Sequence, residues 1–383
     1  MVKKFKVVII GAGASGCMCA LTTKHQSVAL IDKHNYPGWK LSMTGNGRCN
    51  MTNLNMSSDY YNINIDKYLE KFTLTDTIKF FQNLGLVMHS DEEGRVYPFS
   101  NTAKSVIDVI DRALQGKTHL FMGQEVEDID CIDGKYIVKT NKDIFECEKL
   151  VISTGGYSSI QQMQKLGVNF KNFYRSLCGL KCENIVDLNG VRVSNVLVTA
   201  TNNHRQTHSE IGEVLFRNEG LSGIVCFNMS AIFARIGNYS GLVTIDLLPD
   251  MPLEELIQVL EERKNLEVIT SKFLVGFFHN AVATEIFKQA KINTNINSKN
   301  LTSEQIEKVA KTIKNLSYIV SGGLDSTQVY SGGVPLDDLT DNLMHKKLPN
   351  LYFTGEICDV DGLCGGYNLQ WAWTSGHIVG EDL

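Results

Sequence analysis

The chain has 383 residues, more than one hydrophobic core usually serves, so its length predicts two or three domains. Hydrophobic residues make up 43% and charged residues 21% of the chain, which is typical of a globular protein and excludes a disordered or fibrous one. With 37 Lys and Arg against 42 Asp and Glu, the net charge of −5 supplies no general basic field for nucleic acid or anionic lipid, although a local basic patch is compatible with it. We therefore expect neither a nucleic-acid partner nor a membrane partner.

No apolar run is long enough to cross a membrane. The N-terminal run VVII is only four residues long before glycines interrupt it, so a strand that leads into a glycine turn explains it better than a signal peptide does. The ten cysteines lack His or Cys partners at the spacing of zinc ligands, and free thiols in a reducing compartment are their expected state. We expect a cytoplasmic protein without a metal site.

The N-terminal region predicts a strand–turn–helix–strand unit. FKVVII (5–10) is a continuous apolar run suited to a central parallel strand, and the turn GAGASG follows it. An apolar helix through Leu21 then leads to SVALID (27–32), the second strand. This order within about thirty residues is typical of a βαβ unit.

Further along the chain, residues 102–115 have helical periodicity, with Ser100 or Asn101 available as the N-cap. EVEDIDC, KYIVKT, IFECE and KLVIST then predict a β-meander with a hairpin turn at Asp133-Gly134.

From about residue 170 the pattern indicates an antiparallel β subdomain, with a hairpin at Asn189-Gly190 and strands across GEVLFRNEGLSGIVCFNMS (212–230). Residues 252–315 are predicted to be helical, apart from a polar loop at 293–300. Strands and glycine turns return after that, and a closing helix runs from about Asn368 to Val379.

The glycine turn has the spacing and the context of a dinucleotide-binding fingerprint. Gly11-x-Gly13-x-x-Gly16 follows a strand and opens a helix, whose N-terminus favours the negative charge of a pyrophosphate. Asp32 ends the second strand, where it can accept hydrogen bonds from an adenosine ribose. The pattern predicts dinucleotide binding but does not separate NAD from FAD.

The segment GWKLSMTGNGRCNMTN (38–53) is rich in glycine and asparagine and comes soon after the second strand. Such a loop can lie along a long cofactor and donate hydrogen bonds from its backbone and its amides, while Lys40 and Arg48 add positive charge. A solvated surface loop without a ligand remains the alternative interpretation of its composition.

A resemblance to a known family favours FAD over NAD. GAGASG, GWKLSMTGNGRCNMTN, GRVYPFSNTA, STGG, GLSG, SGGVPL and LYFTGEICDVDGLCGGYNLQWAWTSGHIVG occur in that order over essentially the whole chain. Together they resemble the HI0933-like family of bacterial FAD-dependent oxidoreductases, which includes members called aminoacetone oxidases and others called bile-acid dehydro-reductases. The resemblance implies an α/β fold, with a glutathione-reductase-like FAD-binding Rossmann domain interrupted by an antiparallel β subdomain and a helical subdomain. The boundaries we expect are 1–168 with 317–383 for the FAD-binding domain, 169–250 for the β-rich insertion and 251–316 for the helical subdomain.

The resemblance also implies which residues contact FAD. The glycine turn and the acid after it match the family's ADP-binding elements, the loop that follows lies beside the pyrophosphate and the flavin ring, and the C-terminal signature enters the last helix. The residues implied are Gly11, Gly13, Ala14, Ser15, Gly16, Asp32, Lys33, Lys40, Gly47, Arg48, Asn50, Val126, Thr154, Gly155, Gly156, Gly355, Glu356, Asp361, Gly362, Gly366, Tyr367, Asn368 and Leu369. If the last helix points its N-terminus at the flavin, its dipole stabilises negative charge on the reduced ring.

Catalytic residues are harder to predict, because the cofactor carries the hydride chemistry of a flavoenzyme. Arg48 and Tyr367 are the candidates for the reactive face, although Tyr367 is equally well explained by core packing. Cys49 has no second cysteine near it in sequence, so simple packing is favoured over a redox pair. His377 falls late in the closing helix and is interpreted as structural.

We therefore expect an FAD-dependent oxidoreductase that acts on a small organic substrate by hydride transfer. NAD(P)H is a possible co-substrate that would dock directly at the flavin, because no second GxGxxG in a strand–helix context is present. A flavin amine oxidase that uses oxygen is the alternative within this class. A flavin-dependent RNA-modifying protein and a non-catalytic flavin-binding protein are alternatives of other classes. The sequence does not predict an oligomeric state.

Overall fold

The computed structural model describes residues 1–156, 158, 160–183, 185, 187–324 and 329–383. The chain divides into two compact units, the first comprising Met1–Tyr174 and Gln328–Leu383 and the second comprising Arg175–Thr327. Each unit contains a hydrophobic core.

In the described residues, the N-terminal part of the first unit contains ten β-strands and five α-helices. The strands are β1 (Val2–Ile10), β2 (Val28–Asp32), β3 (Thr52–Asn53), β4 (Met88–Ser90), β5 (Arg95–Pro98), β6 (His119–Met122), β7 (Val126–Ile132), β8 (Lys135–Thr140), β9 (Ile144–Ile152) and β10 (Lys171–Ser176), the last of which leads into the second unit. The helices are α1 (Ala14–Thr22), α2 (Asp66–Leu69), α3 (Leu74–Asn83), α4 (Ala103–Leu114) and α5 (Ile160–Lys165).

In the described residues, the second unit contains six β-strands and four α-helices. The strands are β11 (Leu180–Cys182), β12 (Arg192–Asn202), β13 (Thr207–Arg217), β14 (Gly220–Ser222), β15 (Gly241–Asp246) and β16 (Leu316–Gly323). The helices are α6 (Ile224–Arg235), α7 (Leu253–Arg263), α8 (Asn280–Gln289) and α9 (Ser303–Lys314). The chain then returns to the first unit through β17 (Val329–Gly333), β18 (Leu351–Phe353) and α10 (Tyr367–Asp382).

A seven-stranded sheet forms the centre of the first unit. Its parallel strands are ordered β6-β2-β1-β9-β18, and β8 and β7 extend the N-terminal half of β9 as an antiparallel meander. The IFECE and KLVIST runs, predicted as two strands, form the single strand β9. The second half of β1 is buried as a continuous apolar run, as expected of a strand covered on both faces. Because these strands are parallel, the carboxyl ends of β1, β2, β9 and β18 meet at one edge of the sheet.

The second unit is built around a closed barrel of order β11-β14-β13-β12-β15-β16. The barrel and the helices share one core, which includes Val198 and Val243 from the strands and Leu260 and Val309 from the helices. The β-rich and helical segments, which the sequence analysis predicts as separate subdomains, thus both lie in this unit. β16 belongs to the barrel because it pairs with β15 and β11, although the predicted FAD-binding domain begins again at residue 317.

Three local predictions were wrong. Residues 224–235 form helix α6 instead of continuing a strand. The N-cap of α4 is Thr102, whose hydroxyl accepts a hydrogen bond from the N–H of Lys104, and not Ser100 or Asn101. The turn at Asn189-Gly190 leads into β12 and joins no pair of adjacent strands; the hairpin of this region connects β12 to β13.

Among the described residues, no helix combines the length and the apolar character needed to cross a membrane.

Candidate functional site

The predicted phosphate-binding turn lies between the carboxyl end of β1 and the start of α1. Gly11 has φ +102°, and a Cβ at this position would lie 2.3 Å from the carbonyl oxygen of Ser153. A Cβ on Gly16 would lie 1.9 Å from the carbonyl oxygen of Gly11, so helix and turn pack too closely for any larger residue. A Cβ on Gly13 would have no heavy atom within 4 Å, because this position faces open space. The turn is therefore closed on the protein side and open where a ligand approaches.

The N-terminus of α1 meets the requirements of a phosphate site. No side chain caps it and its first turn carries no acidic residue, so its N–H groups and the helix dipole act on the open space beside Gly13. Ala14 and Ser15 form the first turn, and the Ser15 hydroxyl donates to the carbonyl of Thr354 at 3.3 Å. That bond joins the N-terminal turn to the C-terminal signature.

Asp32 lies at the carboxyl end of β2, with a largely buried carboxylate that accepts hydrogen bonds at both oxygens. Oδ2 accepts from the N–H of Ala12 at 2.7 Å, and Oδ1 accepts from the N–H of His34 at 2.8 Å. The His34 ring lies 2.8 Å from the same oxygen and stacks on Trp39 at 4.0 Å. Sequence reasoning missed His34, and its position two residues after the acid is the signal that could have found it.

Two further predicted residues flank Asp32. Lys33 follows it with an exposed side chain. The N–H of Gln124 donates to the carbonyl of Asp32 at 2.9 Å, and β7 begins at Val126, two residues later. The start of β7 thus follows a residue bound to the backbone of Asp32, and the contact of Val126 with adenine stays a prediction.

Lys40 and Glu356 form an ion pair, although 316 positions separate them in the sequence. Lys40 Nζ lies 2.7 Å from Glu356 Oε2, and the other carboxylate oxygen accepts from the N–H of Tyr330 at 2.8 Å. Gly155 and Gly156, at the end of β9, face this pair: a Cβ on Gly156 would lie 2.9 Å from Glu356 Oε1. Thr154, which precedes them, donates its hydroxyl to the carbonyl of Ser158 at 3.1 Å. The pair thus joins the 38–53 segment, the end of β9 and the C-terminal signature.

The 38–53 segment is more ordered than a solvated loop. It forms a 3₁₀ helix at Trp39–Gly47, which is interrupted where Thr44, Gly45 and Asn46 leave helical backbone angles. Gly47 has φ +81°, and the buried Cys49 that follows has φ +60°.

Arg48 is exposed, and its guanidinium lies over the ring of Tyr97 at 4.6 Å. This cation–π contact holds Arg48 at the surface of the segment.

Residues 50–53 pack against the turn that enters α10. Asn53 donates to the carbonyl of Gly365 at 2.9 Å, and the Thr52 hydroxyl donates to Gln370 Oε1 at 2.7 Å. A Cβ on Gly366 would lie 2.6 Å from the carbonyl oxygen of Thr52 and 2.9 Å from Asn50 Oδ1. Asn50 Oδ1 is buried and has no hydrogen-bond partner within the described residues, so the site contains an unsatisfied polar group beside the start of α10.

Tyr367, the second predicted catalytic residue, is buried. Its ring stacks on Tyr60 with centroids 4.4 Å apart and an interplanar angle of 18°, and the Tyr61 hydroxyl donates to its carbonyl at 2.8 Å. Burial, and then the neighbouring Tyr60, raise the pKa of the Tyr367 phenol well above its usual value. We name Tyr60, Tyr61 and Tyr367 the tyrosine cluster.

The remaining C-terminal residues hold the turn before α10 in place. The Asn368 carboxamide donates to the carbonyl of Gly362 at 2.7 Å and accepts from its N–H at 2.9 Å. Asp361 is buried, with one oxygen accepting from the Ser331 hydroxyl at 2.8 Å. Leu369 is half-buried in the first turn of α10.

A surface cleft of about 470 Å³ lies nearby, between the 38–53 segment and α4. Ser42 and Gly47 line one side and Ile107 and Asp111 the other. It includes Gly47 from the predicted cofactor residues but not the turn at Gly13, so it is a separate feature of this unit.

The geometry fits FAD. The glycine turn and the C-terminal signature are in contact, since a Cβ on Gly355 would lie 2.5 Å from the Ser15 hydroxyl and one on Gly376 would lie 2.4 Å from the Ser15 carbonyl. The helices α1 and α10 both begin without a side-chain cap, and the first turn of α1 packs against Gly376 in the C-terminal half of α10. Over the part of the chain that the structure describes, no three His, Cys, Asp or Glu side chains come together as metal ligands. The individual FAD contacts stay predictions.

Comparisons with known proteins agree with this interpretation. The model of the HI0933-like protein Rossmann domain matches residues 5–382. The chain is 28% identical over 404 residues to the 3-dehydro-bile acid delta(4,6)-reductase of Clostridium scindens, with 98% of each chain covered. It is 30% identical over 406 residues to the ribosomal RNA dihydrouridine synthase of Escherichia coli, with 100% of this chain and 98% of the relative covered.

The fold is similar to that of the 3-ketosteroid-delta4-(5alpha)-dehydrogenase from Rhodococcus jostii, with a TM-score of 0.51, 11% identity, and 99% of this chain and 96% of that chain covered. Because the family model matches almost the entire length, the chain belongs to the HI0933-like family and is an FAD-dependent oxidoreductase.

Proposed function

We propose that this protein is a reductase that saturates a carbon–carbon double bond conjugated to a carbonyl group in a small organic substrate, with NAD(P)H as the source of electrons. The observation that carries the flavin part of the proposal is the contact between the glycine turn and the C-terminal signature, which Ser15 makes with Thr354 and Gly355.

The names of the two relatives support a conjugated carbon–carbon double bond as the bond that is reduced. A 3-dehydro-delta(4,6) bile acid has double bonds conjugated to a 3-oxo group, and the reductase of Clostridium scindens is named for them. Dihydrouridine is uridine whose double bond beside a ring carbonyl has been saturated, and the Escherichia coli relative is named for that product. The two names describe different molecules and the same change in bonding.

Bound FAD supplies hydride transfer, and the protein supplies binding, orientation and charge. In this proposal the N–H groups at the start of α1 bind the pyrophosphate, and Asp32 accepts from the adenosine ribose. Lys40 balances the charge of Glu356 beside the phosphates. The N-terminus of α10 stabilises negative charge on the reduced ring.

An anaerobic experiment tests the proposal. The purified protein is loaded with FAD, mixed with NADH or NADPH, and then with a 3-oxo-4-ene steroid, while the flavin absorbance is followed. We expect bleaching by a nicotinamide and return of the absorbance with the steroid, with a saturated product by mass spectrometry. Bleaching by an amine, and peroxide on readmission of air, would instead support an amine oxidase that uses oxygen. Absence of any bleaching would contradict the reductase.

A uridine in ribosomal RNA is a second candidate substrate, supported by the 30% identity to the Escherichia coli relative over the whole chain. The net charge of −5 argues against a broad RNA-binding surface. The reduced, FAD-loaded protein is incubated with ribosomal RNA, and the nucleosides are analysed by mass spectrometry. Dihydrouridine formed from RNA, with no turnover of the steroid, would favour this candidate over the first.

A further inference from the structure

Hydride transfer to a conjugated double bond requires a second group. When the β-carbon accepts a hydride, negative charge develops on the carbonyl oxygen and the α-carbon, and the α-carbon must take up a proton to give the saturated product. A positioned acid accelerates such a step by about 10²–10⁴-fold. This inference rests on the proposed function and concerns the side chain that holds that proton.

The groups named by the sequence analysis are poorly suited to the task. Tyr367 is only 5% exposed, and burial raises its pKa. Burial likewise raises the pKa of the Cys49 thiol to about 12. Glu356 accepts hydrogen bonds at both carboxylate oxygens, from Lys40 and from the N–H of Tyr330. Arg48 is a cation without a readily lost proton.

Tyr60 differs from these groups. Its side chain is only half-buried, whereas that of Tyr367 is buried, and the two rings stack. The backbone of Tyr60 is fixed, because its carbonyl accepts from the N–H of Leu363 at 2.9 Å. The next residue, Tyr61, pairs with Gly362 and donates its hydroxyl to the Tyr367 carbonyl. A phenol is thus held at the start of α10, with its rotation limited by a parallel ring.

The Tyr60 ring lies beside the first residue of α10. The N-terminus of α10 is the element that, under the proposed function, stabilises negative charge on the reduced ring. The first residue of that helix is Tyr367, on which Tyr60 stacks.

We infer that Tyr60 is the proton donor of the reduction and that Tyr367 is a positioning residue, which acts through Tyr60. Bound FAD, reduced by NAD(P)H, would supply a hydride to the β-carbon, and the Tyr60 hydroxyl would give its proton to the α-carbon. One carbon–carbon π bond is lost, two C–H bonds form, and the nicotinamide is the reductant. The Tyr60 phenolate regains its proton from solvent.

The test uses the FAD-loaded protein reduced with one equivalent of NADH or NADPH. In a stopped-flow instrument, a 3-oxo-4-ene steroid is added and the return of flavin absorbance is followed. Tyr60→Phe keeps the ring stack and removes the proton, so we expect reoxidation by the steroid to slow about 10²–10⁴-fold. The rate of reduction by the nicotinamide and the affinity for FAD should stay as in the wild type. Tyr36→Phe, at an exposed tyrosine elsewhere, is the matched control and should change none of these quantities.

A pH profile separates proton donation from a structural role. Site-specific replacement of Tyr60 by 3-fluorotyrosine makes the phenol more acidic, and we expect the alkaline limb of the reoxidation rate to move to lower pH. Tyr367→Phe should lower the rate less than Tyr60→Phe and leave this limb in place. A Tyr60→Phe protein that reoxidises at the wild-type rate overturns the role of Tyr60 and leaves the proposed function intact. A wild-type protein that is reduced but reacts with neither the steroid nor RNA uridine overturns the proposed function and this role with it.

Discussion

A substitution at Gly13 is expected to weaken ligand binding while leaving the stability of the fold nearly unchanged. Because a Cβ there would meet no protein atom within 4 Å, and serine is a favoured N-cap, we expect Gly13→Ser to change the free energy of unfolding of the FAD-free protein by less than about 0.5 kcal/mol. The same side chain occupies space that the pyrophosphate needs, so FAD affinity should fall at least about tenfold. Urea unfolding and fluorescence titration with FAD measure the two quantities.

Gly16→Ala is the contrasting variant. Its Cβ would lie 1.9 Å from the carbonyl oxygen of Gly11, and such overpacking costs about 1–3 kcal/mol of stability. If Gly13→Ser destabilised the FAD-free protein as much as Gly16→Ala does, the open space beside Gly13 would not be a ligand site.

The ion pair of Lys40 and Glu356 predicts non-additive effects on FAD affinity. Lys40→Met leaves the largely buried Glu356 carboxylate without its cation beside the predicted phosphates, so we expect FAD affinity to fall about tenfold or more. Adding Glu356→Gln removes that unpaired charge and should restore part of the loss. Isothermal titration with FAD measures all four proteins of the cycle.

Lys24→Met removes a matched but exposed pair with Glu381 and should leave FAD affinity unchanged. Additive losses in the cycle would show that Lys40 acts on the cofactor without Glu356.

Cys49 illustrates how burial decides the chemistry of a thiol. Its pKa is raised to about 12, so the thiolate is scarce below that pH and its population falls tenfold for each pH unit. At pH 8 we expect a disulfide reagent such as dithionitrobenzoate to modify the exposed Cys131 in the native protein and to leave Cys49 unmodified until denaturant is added. Peptide mass mapping of the labelled protein measures both sites. Rapid native labelling of Cys49 would revive a redox role for it.

Individual residues also differ in how well the sequence predicts their place in the site. The spacing of Gly11, Gly13 and Gly16 predicts the turn because backbone geometry alone requires glycine there. Tyr60 carries no such spacing signal, because its place depends on the ring of Tyr367, which tertiary packing brings beside it.

At the scale of elements, α10 is tied to the N-terminal segment through a buried amide. Gln370 is fully buried, accepts from the Thr52 hydroxyl, and donates to Thr77 at 2.9 Å and Thr374 at 3.0 Å. Gln370→Leu would leave these hydroxyls without their partner, so we expect a loss of about 2–4 kcal/mol in the free energy of unfolding. Urea denaturation of the FAD-free protein measures it.

Gln115→Leu is the control, because the Gln115 side chain is exposed at the end of α4. It should change stability by less than about 0.5 kcal/mol. Equal effects of the two substitutions would contradict the tie between β3 and α10.

Helix α6 shows why an element can be predicted as the wrong type. Its buried residues surround the helix and include Val225, Cys226, Met229 and Phe233, so the sequence lacks a polar face with a period of 3.6 residues. A short apolar run is compatible with a buried strand and a buried helix alike. The helices α4 and α9 have one apolar face each, and their periodicity predicts them well.

At the scale of the molecule, the sequence predicts the α/β class and the βαβ unit because both follow from local patterns. It does not predict that β16 joins the barrel, since the pairing of β16 with β11 and β15 depends on contacts between distant segments. The three-part division of the chain stays a prediction. The structure divides into two compact units, whose boundaries fall after residues 174 and 327. The FAD-binding residues stay predictions, which rest on motifs at both ends of the chain.

The pairing of β18 with β9 has a consequence for synthesis of the protein. Ser153 and Thr354 share a 2.7 Å hydrogen bond although 201 positions separate them. A nascent chain therefore emerges from the ribosome with the edge of β9 unpaired, and this apolar edge stays open to chaperones or to aggregation while the whole of Arg175–Thr327 is translated. Because the predicted FAD contacts include residues of the C-terminal signature, we expect the coenzyme to be captured only after that delay, late in biogenesis.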